Sequence, residues 1–142
     1  MSMRVIESTL PRPFKPEASL FSAPFWQSLA RGVFTTTRCR QCQRLQFPPR
    51  EYCPSCGNGQ SEWIEISGRG LLYSRTRIHS AGGAFACLAP YSIAIVDLEA
   101  GPRLLTRLLP EASELPLASA VDLVVLRHSD GVLFAAAAAA AA

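Results

Sequence analysis

Residues 39–57 read Cys39-Arg-Gln-Cys42-Gln-Arg-Leu-Gln-Phe-Pro-Pro-Arg-Glu-Tyr-Cys53-Pro-Ser-Cys56-Gly57, a C-x2-C-x10-C-x2-C array, and this stretch decides the fold of the segment around it. The two-residue gap in each pair puts both sulfurs within reach of one tetrahedral ion, so Cys39, Cys42, Cys53 and Cys56 form a candidate four-thiolate site. Ten residues between the pairs are fewer than in many zinc ribbons but enough for a tight hairpin or a rubredoxin-like knuckle. Zinc is the expected ion, with iron and a pair of disulfides as the competing uses of four cysteines. Four cysteine ligands leave no coordination position for water or substrate, which predicts a structural metal and no catalytic one. Metal binding at such sites contributes about 10–16 kcal/mol, enough to fold a segment too small to bury its own core.

The chain of 142 residues, 49% of them hydrophobic, suits one compact unit or a small module joined to one ordinary domain. Apart from the terminal alanines, no apolar run is long enough to span a bilayer, and no signal-peptide core is visible. Both features, with thiols kept reduced for a metal, point to the cytoplasm. The formal net charge is +3. Ligation takes away four charges as thiolates and returns two with the ion, which leaves +1. Lys15 is the sole lysine among the basic residues, and arginine favours bidentate contacts with carboxylates, phosphates and partner surfaces.

Outward from the array, residues 1–20 carry Pro11, Pro13 and Pro16 without periodicity and read as an extended arm, wrapped on a partner or loose. Residues 21–34 predict a short helix from Ser22 to about Gly32: Ser22 as N-cap, Pro24 in the first turn, Phe21, Phe25 and Leu29 four apart, and Gly32 as a stop. Residues 35–62 hold the zinc ribbon. Residues 63–134 read as five strands: Leu71–Ile78, Tyr91–Leu98, Arg103–Leu109, Val121–Arg127 and, after an Asp130-Gly131 turn, Val132–Phe134. Five strands without a long intervening helix predict an OB-type barrel, with a β-sandwich as the competitor. The fold class is therefore mainly β, a short helix and a rubredoxin-like zinc ribbon followed by a five-stranded OB-fold barrel. Residues 135–142 are all alanine; the run favours helix, has nothing evident to pack against, and can stand for residues of unassigned identity.

Strict alternation places Tyr73, Arg75, Arg77 and His79 on one face of the first barrel strand and Leu72, Thr76 and Ile78 on the other, with Arg103 and Arg107 alternating likewise. Either these arginines pair with nearby Glu and Asp on a solvated face or they form an anion-binding strip. The loop 80–90 is apolar and small-residue-rich around Phe85, so it is expected to order on a partner; Phe25, Trp26, Phe85 and the proline-rich arm are the expected interface positions. Cys87 with His79 can be imagined as a nucleophile pair, but nothing orients the histidine or supplies an oxyanion hole, and Cys87 reads better as a small apolar residue. No catalytic residue is assigned. A single-stranded nucleic-acid module is the alternative function; it is disfavoured because Tyr73, Phe85, Tyr91 and Phe134 are not interleaved with lysine.

In combination, Phe25-Trp26, Leu29, Gly32, Cys39-x2-Cys42, Pro48-Pro49-Arg50, Cys53-Pro54-x-Cys56-Gly57 and the Gly-led strand of a following barrel resemble a thiolase-associated family that joins a rubredoxin-like zinc ribbon to an OB-fold domain. The resemblance covers residues 21–134. It implies a noncatalytic structural or bridging subunit, structural zinc on the four cysteines, and thiolase-like and hydroxymethylglutaryl-CoA-synthase-like protein partners, with neither membrane nor nucleic acid. It implies that such a subunit docks the catalytic chains of an acyltransferase complex and lines their acyl or CoA passage. Length and the arginine- and alanine-rich composition fit a narrower branch, the small subunit of bacterial complexes that move acetyl groups between phloroglucinols.

Overall fold

The computed structural model describes residues 2–140. Its elements run β1 (Val5–Glu7), α1 (Ala23–Ala30), β2 (Thr35–Cys39), β3 (Leu45–Gln46), β4 (Ser61–Glu65), β5 (Arg69–Ile78), β6 (Tyr91–Leu98), β7 (Arg103–Leu108), β8 (Ala120–His128) and β9 (Gly131–Ala138). The segment β2–β4 forms a three-stranded antiparallel ribbon in the order β3-β2-β4. The five strands β5 to β9 close on themselves in the order β8-β5-β6-β7-β9-β8, with β7 and β9 parallel and the other pairs antiparallel. That is the OB barrel expected from sequence, and closure removes the exposed edges an open sheet would leave.

The alanines are the largest departure. β9 continues past Phe134 to Ala138, and Ala135, Ala136 and Ala137 are fully buried opposite Val124, Leu123 and Asp122 of β8. The run therefore has a packing partner, and pairing with β8 outweighs a helix preference worth at most about 1 kcal/mol per residue. Ala141 and Ala142 lie outside the described residues, as does Met1 at the start of the arm.

The arm is tied to the barrel at several points. β1 adds to β8 in parallel, Val5 opposite Val125 and Glu7 opposite Arg127. Farther on, Arg12 donates its backbone N–H to the Asp130 carboxylate at 2.8 Å and a guanidinium N–H to the Asp130 carbonyl at 3.2 Å. The Arg12 backbone bond, helped by its guanidinium, holds the Asp130 carboxyl below the ordinary carboxylate range.

Helix α1 is shorter than predicted. Ser22 stands at the N-cap as expected, but its side chain makes no capping bond: the Ser22 and Ser19 hydroxyls instead accept hydrogen bonds from each other's backbone N–H, at 2.8 and 3.0 Å. Gly32 does end it, at φ 79°, with its N–H on Leu29 O. Phe25 is buried in an aromatic cluster with Phe34, Phe47 and Phe134, ring centroids 5.4–6.0 Å apart. One ring comes from the helix, two from the ribbon and its approach, and one from β9, so this cluster joins the three parts of the molecule. Phe25 is thus core and not the interface residue expected of it.

The face assignment on β5 also changes. A bulge between Leu72 and Ser74 shifts the register, so Leu72, Arg75 and Arg77 lie opposite Val96, Ala94 and Ser92, all inward-facing residues of β6. Strict alternation put Leu72 and the two arginines on opposite faces; the extra residue at the bulge reverses the phase.

Candidate metal centre and exposed barrel face

Each cysteine pair sits on a turn built the same way. Cys39 O accepts from Gln43 N–H at 2.9 Å and Cys53 O from Gly57 N–H at 2.8 Å; Cys39 N–H donates to Arg44 O and Cys53 N–H to Asn58 O. The residue after the second cysteine takes a left-handed conformation in both, Gln43 at φ 64° and Gly57 at φ 76°. Glycine suits that backbone without strain and glutamine tolerates it at a cost. Asn58 Nδ2 donates to Gln41 Oε1 at 2.6 Å and ties one turn to the other.

These turns bring Cys39, Cys42, Cys53 and Cys56 together, with all four Sγ atoms within 4.8 Å of one another. The closest pairs, Cys39–Cys56 and Cys42–Cys53, are 3.5 Å apart. A tetrahedral ion with metal–sulfur bonds of about 2.3 Å requires sulfur separations of about 3.8 Å. The geometry fits one ion, and 3.5 Å is far outside a disulfide. Backbone N–H donation from Cys56 leads the effects that bring the Cys53 thiol down to about 6, and donation from Cys42 lowers Cys39. Cys56 is pushed up to about 11: the Asn58 N–H favours its thiolate, but the neighbouring sulfurs and burial outweigh it. Cys42 is raised too, the Arg44 N–H being outweighed by burial and by Cys53 and Cys39. Four sulfurs this close cannot all ionise without a cation to share, and a soft divalent ion would supply that charge.

Behind the turns, the Arg38 guanidinium bonds Glu62 Oε1 through Nη2 at 2.6 Å and Nε at 3.0 Å across β2 and β4, and the same pairing lowers the Glu62 carboxyl. The Thr36 hydroxyl bonds Gln46 O, and Thr37 Oγ1 accepts from Arg50 N–H at 2.9 Å.

The remaining sequence candidates separate from this centre. Cys87 is exposed, its sulfur 3.8 Å from Ala84 O, and among the described residues no hydrogen bond joins it to His79. His128 Nδ1 lies 3.3 Å from Leu10 O under the arm. Phe85 is half-buried between Phe14 of the arm and Tyr91, at 5.2 and 5.9 Å, so the partner that orders its loop is the chain's own arm. Trp26 is half-buried against both core clusters. The arginine strip is largely neutralised: Arg77 pairs with Glu114, Arg103 with Asp97, and Arg75 donates to Leu115 O. The Arg103 guanidinium also covers the Tyr73 ring at 3.7 Å, which occupies the face a stacked base would need.

Beside the Arg103–Asp97 pair the barrel exposes apolar side chains. Leu71, Tyr73 and Leu105 are 51%, 50% and 63% exposed. Leu105 stands opposite the partly buried Ile95, and Leu71 opposite Asp97 on the adjoining strand pair. Alternation groups these residues by face but does not show which face the fold leaves open, so Leu71 and Leu105 were not singled out. Phe34 and Phe47 were also missed, although each directly flanks the threonine- and proline-rich ribbon and is large, apolar and close to the array.

The turns and the barrel define a rubredoxin-like ribbon fused to an OB fold. Residues 26–62 match the family model described as ChsH2, rubredoxin-like zinc ribbon domain, and residues 63–122 the one described as ChsH2, C-terminal OB-fold domain. The chain belongs to this ChsH2/DUF35 family. It is similar to a DUF35 domain-containing scaffold protein of Methanocaldococcus jannaschii, 43% identical over 47% of this chain and 48% of that one. It is also similar to the benzoylsuccinyl-CoA thiolase subunit BbsA of Thauera aromatica, 31% identical over 66% of each chain. Among solved structures, the Ltp2-ChsH2(DUF35) aldolase superposes with a TM-score of 0.75 at 26% identity, over 89% of this chain and all of that one. The match spans about half the length of the archaeal scaffold relative. No described helix is long and apolar enough to cross a membrane.

Proposed function

We infer that this protein is a noncatalytic scaffold subunit of a thiolase-like acyltransferase complex in the cytoplasm. The observation that carries the reading is the solvent-exposed apolar surface of Leu71, Tyr73 and Leu105, on a barrel whose relatives carry the names scaffold protein and thiolase subunit. Large apolar groups rimmed by arginine and aspartate are the composition of a protein–protein contact. Cys39, Cys42, Cys53 and Cys56 hold structural zinc, which stiffens the ribbon and supplies no open coordination position for chemistry. The partners are a thiolase-like chain and a hydroxymethylglutaryl-CoA-synthase-like chain, and the acyl-accepting nucleophile belongs to a partner. Acetyl transfer between phloroglucinols is the reaction we assign to the assembly, with this subunit beside the acyl or CoA passage.

Co-expression with the thiolase-like and synthase-like chains, followed by size-exclusion chromatography, tests this role. A stoichiometric complex is expected, and the double variant L71D/L105D should dissociate it while retaining its metal. Full acetyltransferase activity of the two catalytic chains without this subunit would overturn the assignment.

A further inference from the structure

β7 and β9 join through one register pair, Leu108 opposite Ala136, with Leu109 N–H donating to Ala136 O at 2.9 Å. Ahead of that pair no register partners link the two strands among the described residues, although β9 stays paired with β8 on its other edge. The gap is a cleft of about 310 Å³, within the size range of small-molecule sites. Ile93 and Leu105 line it from the outer face of the barrel, Leu126 and Leu133 from the β8–β9 hairpin, and Trp26 from α1. Two irregular segments complete it, Pro13-Phe14 of the arm and Phe85 of the β5–β6 loop, joined by the Phe14–Phe85 ring contact at 5.2 Å.

Arg107 is the single charged residue on that lining. Its Nε is shut away from solvent and has no hydrogen-bond partner among the described residues. The nearby barrel arginines Arg75, Arg77 and Arg103 are all engaged by carbonyls or carboxylates. A buried guanidinium nitrogen without an acceptor is unfavourable, so the lining is electrostatically complete only when an acceptor arrives. Arg107 also borders a second, more polar hollow of about 260 Å³ lined by Arg77, Ser92 and Ser113. The cleft therefore runs from apolar walls to a cation at its polar end.

We propose that this cleft binds an organic carboxylate with an apolar body, an aryl-alkanoate or a medium-chain alkanoate, with the carboxylate on Arg107 and the body between Trp26, Ile93 and Leu133. One guanidinium offers a planar fork that matches one carboxylate and its single charge, whereas a phosphate monoester would leave charge unmatched. The site lies outside the four-cysteine centre, and the proposal holds whether or not the subunit is a scaffold.

Decanoate is the probe, titrated into the full chain below its micelle concentration and followed by calorimetry and by the two tryptophan indole N–H resonances. Saturable binding that moves the Trp26 resonance and leaves that of Trp63 in place is expected. Arg107→Met, which keeps the apolar stem, should weaken decanoate about tenfold or more while leaving decan-1-ol unchanged. Arg107→Lys should fall between, since it keeps the charge and loses the fork, and Arg103→Met should bind as the parent does. No saturable binding, equal affinity in Arg107→Met, or a response centred on Trp63 would each overturn the proposal.

Discussion

Replacing Phe34 by alanine tests whether ribbon, helix and barrel are one cooperative body. Phe34 is 1% exposed, and its ring meets those of Phe25, Phe47 and Phe134 at 5.5, 5.4 and 5.5 Å. Removing a buried phenylalanine forfeits about 1.5–3 kcal/mol of transfer free energy. Each ring pair adds about 0.5–1.5 kcal/mol, and an incompletely collapsed cavity adds to that. These terms overlap, so the expected loss is about 4 kcal/mol, within the 3–5 kcal/mol range measured for such truncations. That is a large share of a stability of about 5–15 kcal/mol, and corresponds to about 12 °C in Tm for a chain of this size. Urea unfolding read by far-ultraviolet circular dichroism and by tryptophan emission, with Trp26 on the helix and Trp63 on β4, gives the number. Phe34→Leu should lose much less because it refills most of the space. A loss under about 1.5 kcal/mol at unchanged m-value would refute the joining role of the cluster, and two separate transitions in the parent protein would show that ribbon and barrel unfold independently.

Gly70→Ala should destabilise the barrel by about 1–3 kcal/mol, because a Cβ there would stand 2.6 Å from Asp97 O and 2.7 Å from Val96 Cγ1; thermal melting checks this, and an unchanged Tm would mean β5 and β6 can spread apart at no cost. Cys53→Ser should lose bound zinc by elemental analysis while Cys87→Ser keeps one ion per chain; retention of the ion by Cys53→Ser would remove that sulfur from the ligand set. The Asp130 carboxyl has a folded-state pKa below its unfolded value, so its hold on the arm is present above the ordinary aspartate value and is lost as pH falls through the depressed one. The Arg12 amide resonance should accordingly titrate with a midpoint below about 3.9, and a midpoint above it would contradict the pairing. At neutral pH, Asp130→Asn should speed chymotryptic cleavage after Phe14, and an unchanged rate would mean the arm is held elsewhere.

Local chemistry made much of this protein legible along its chain. The cysteine spacing places four sulfurs around one point because a C-x2-C turn has few ways to close, and the strand stretches at Tyr91–Leu98 and Arg103–Leu108 follow from β-branched and apolar alternation ended by Gly101-Pro102. What alternation cannot carry is an inserted residue: the bulge at Tyr73 puts Arg75 and Arg77 in register with Ala94 and Ser92, while both arginines stay exposed. Nor can local propensity report what lies opposite. Alanine favours helix in isolation, yet Ala135 to Ala137 are strand because β8 offers a full ladder there, and Phe25 is core because Phe34, Phe47 and Phe134 converge on it from distant positions. Residue types and short spacings fixed the metal-ligand candidates and the number of barrel strands; long-range pairing alone decided which faces meet solvent, where the arm lies, and that Arg107 looks into a cleft, since each of those depends on partners tens of residues away.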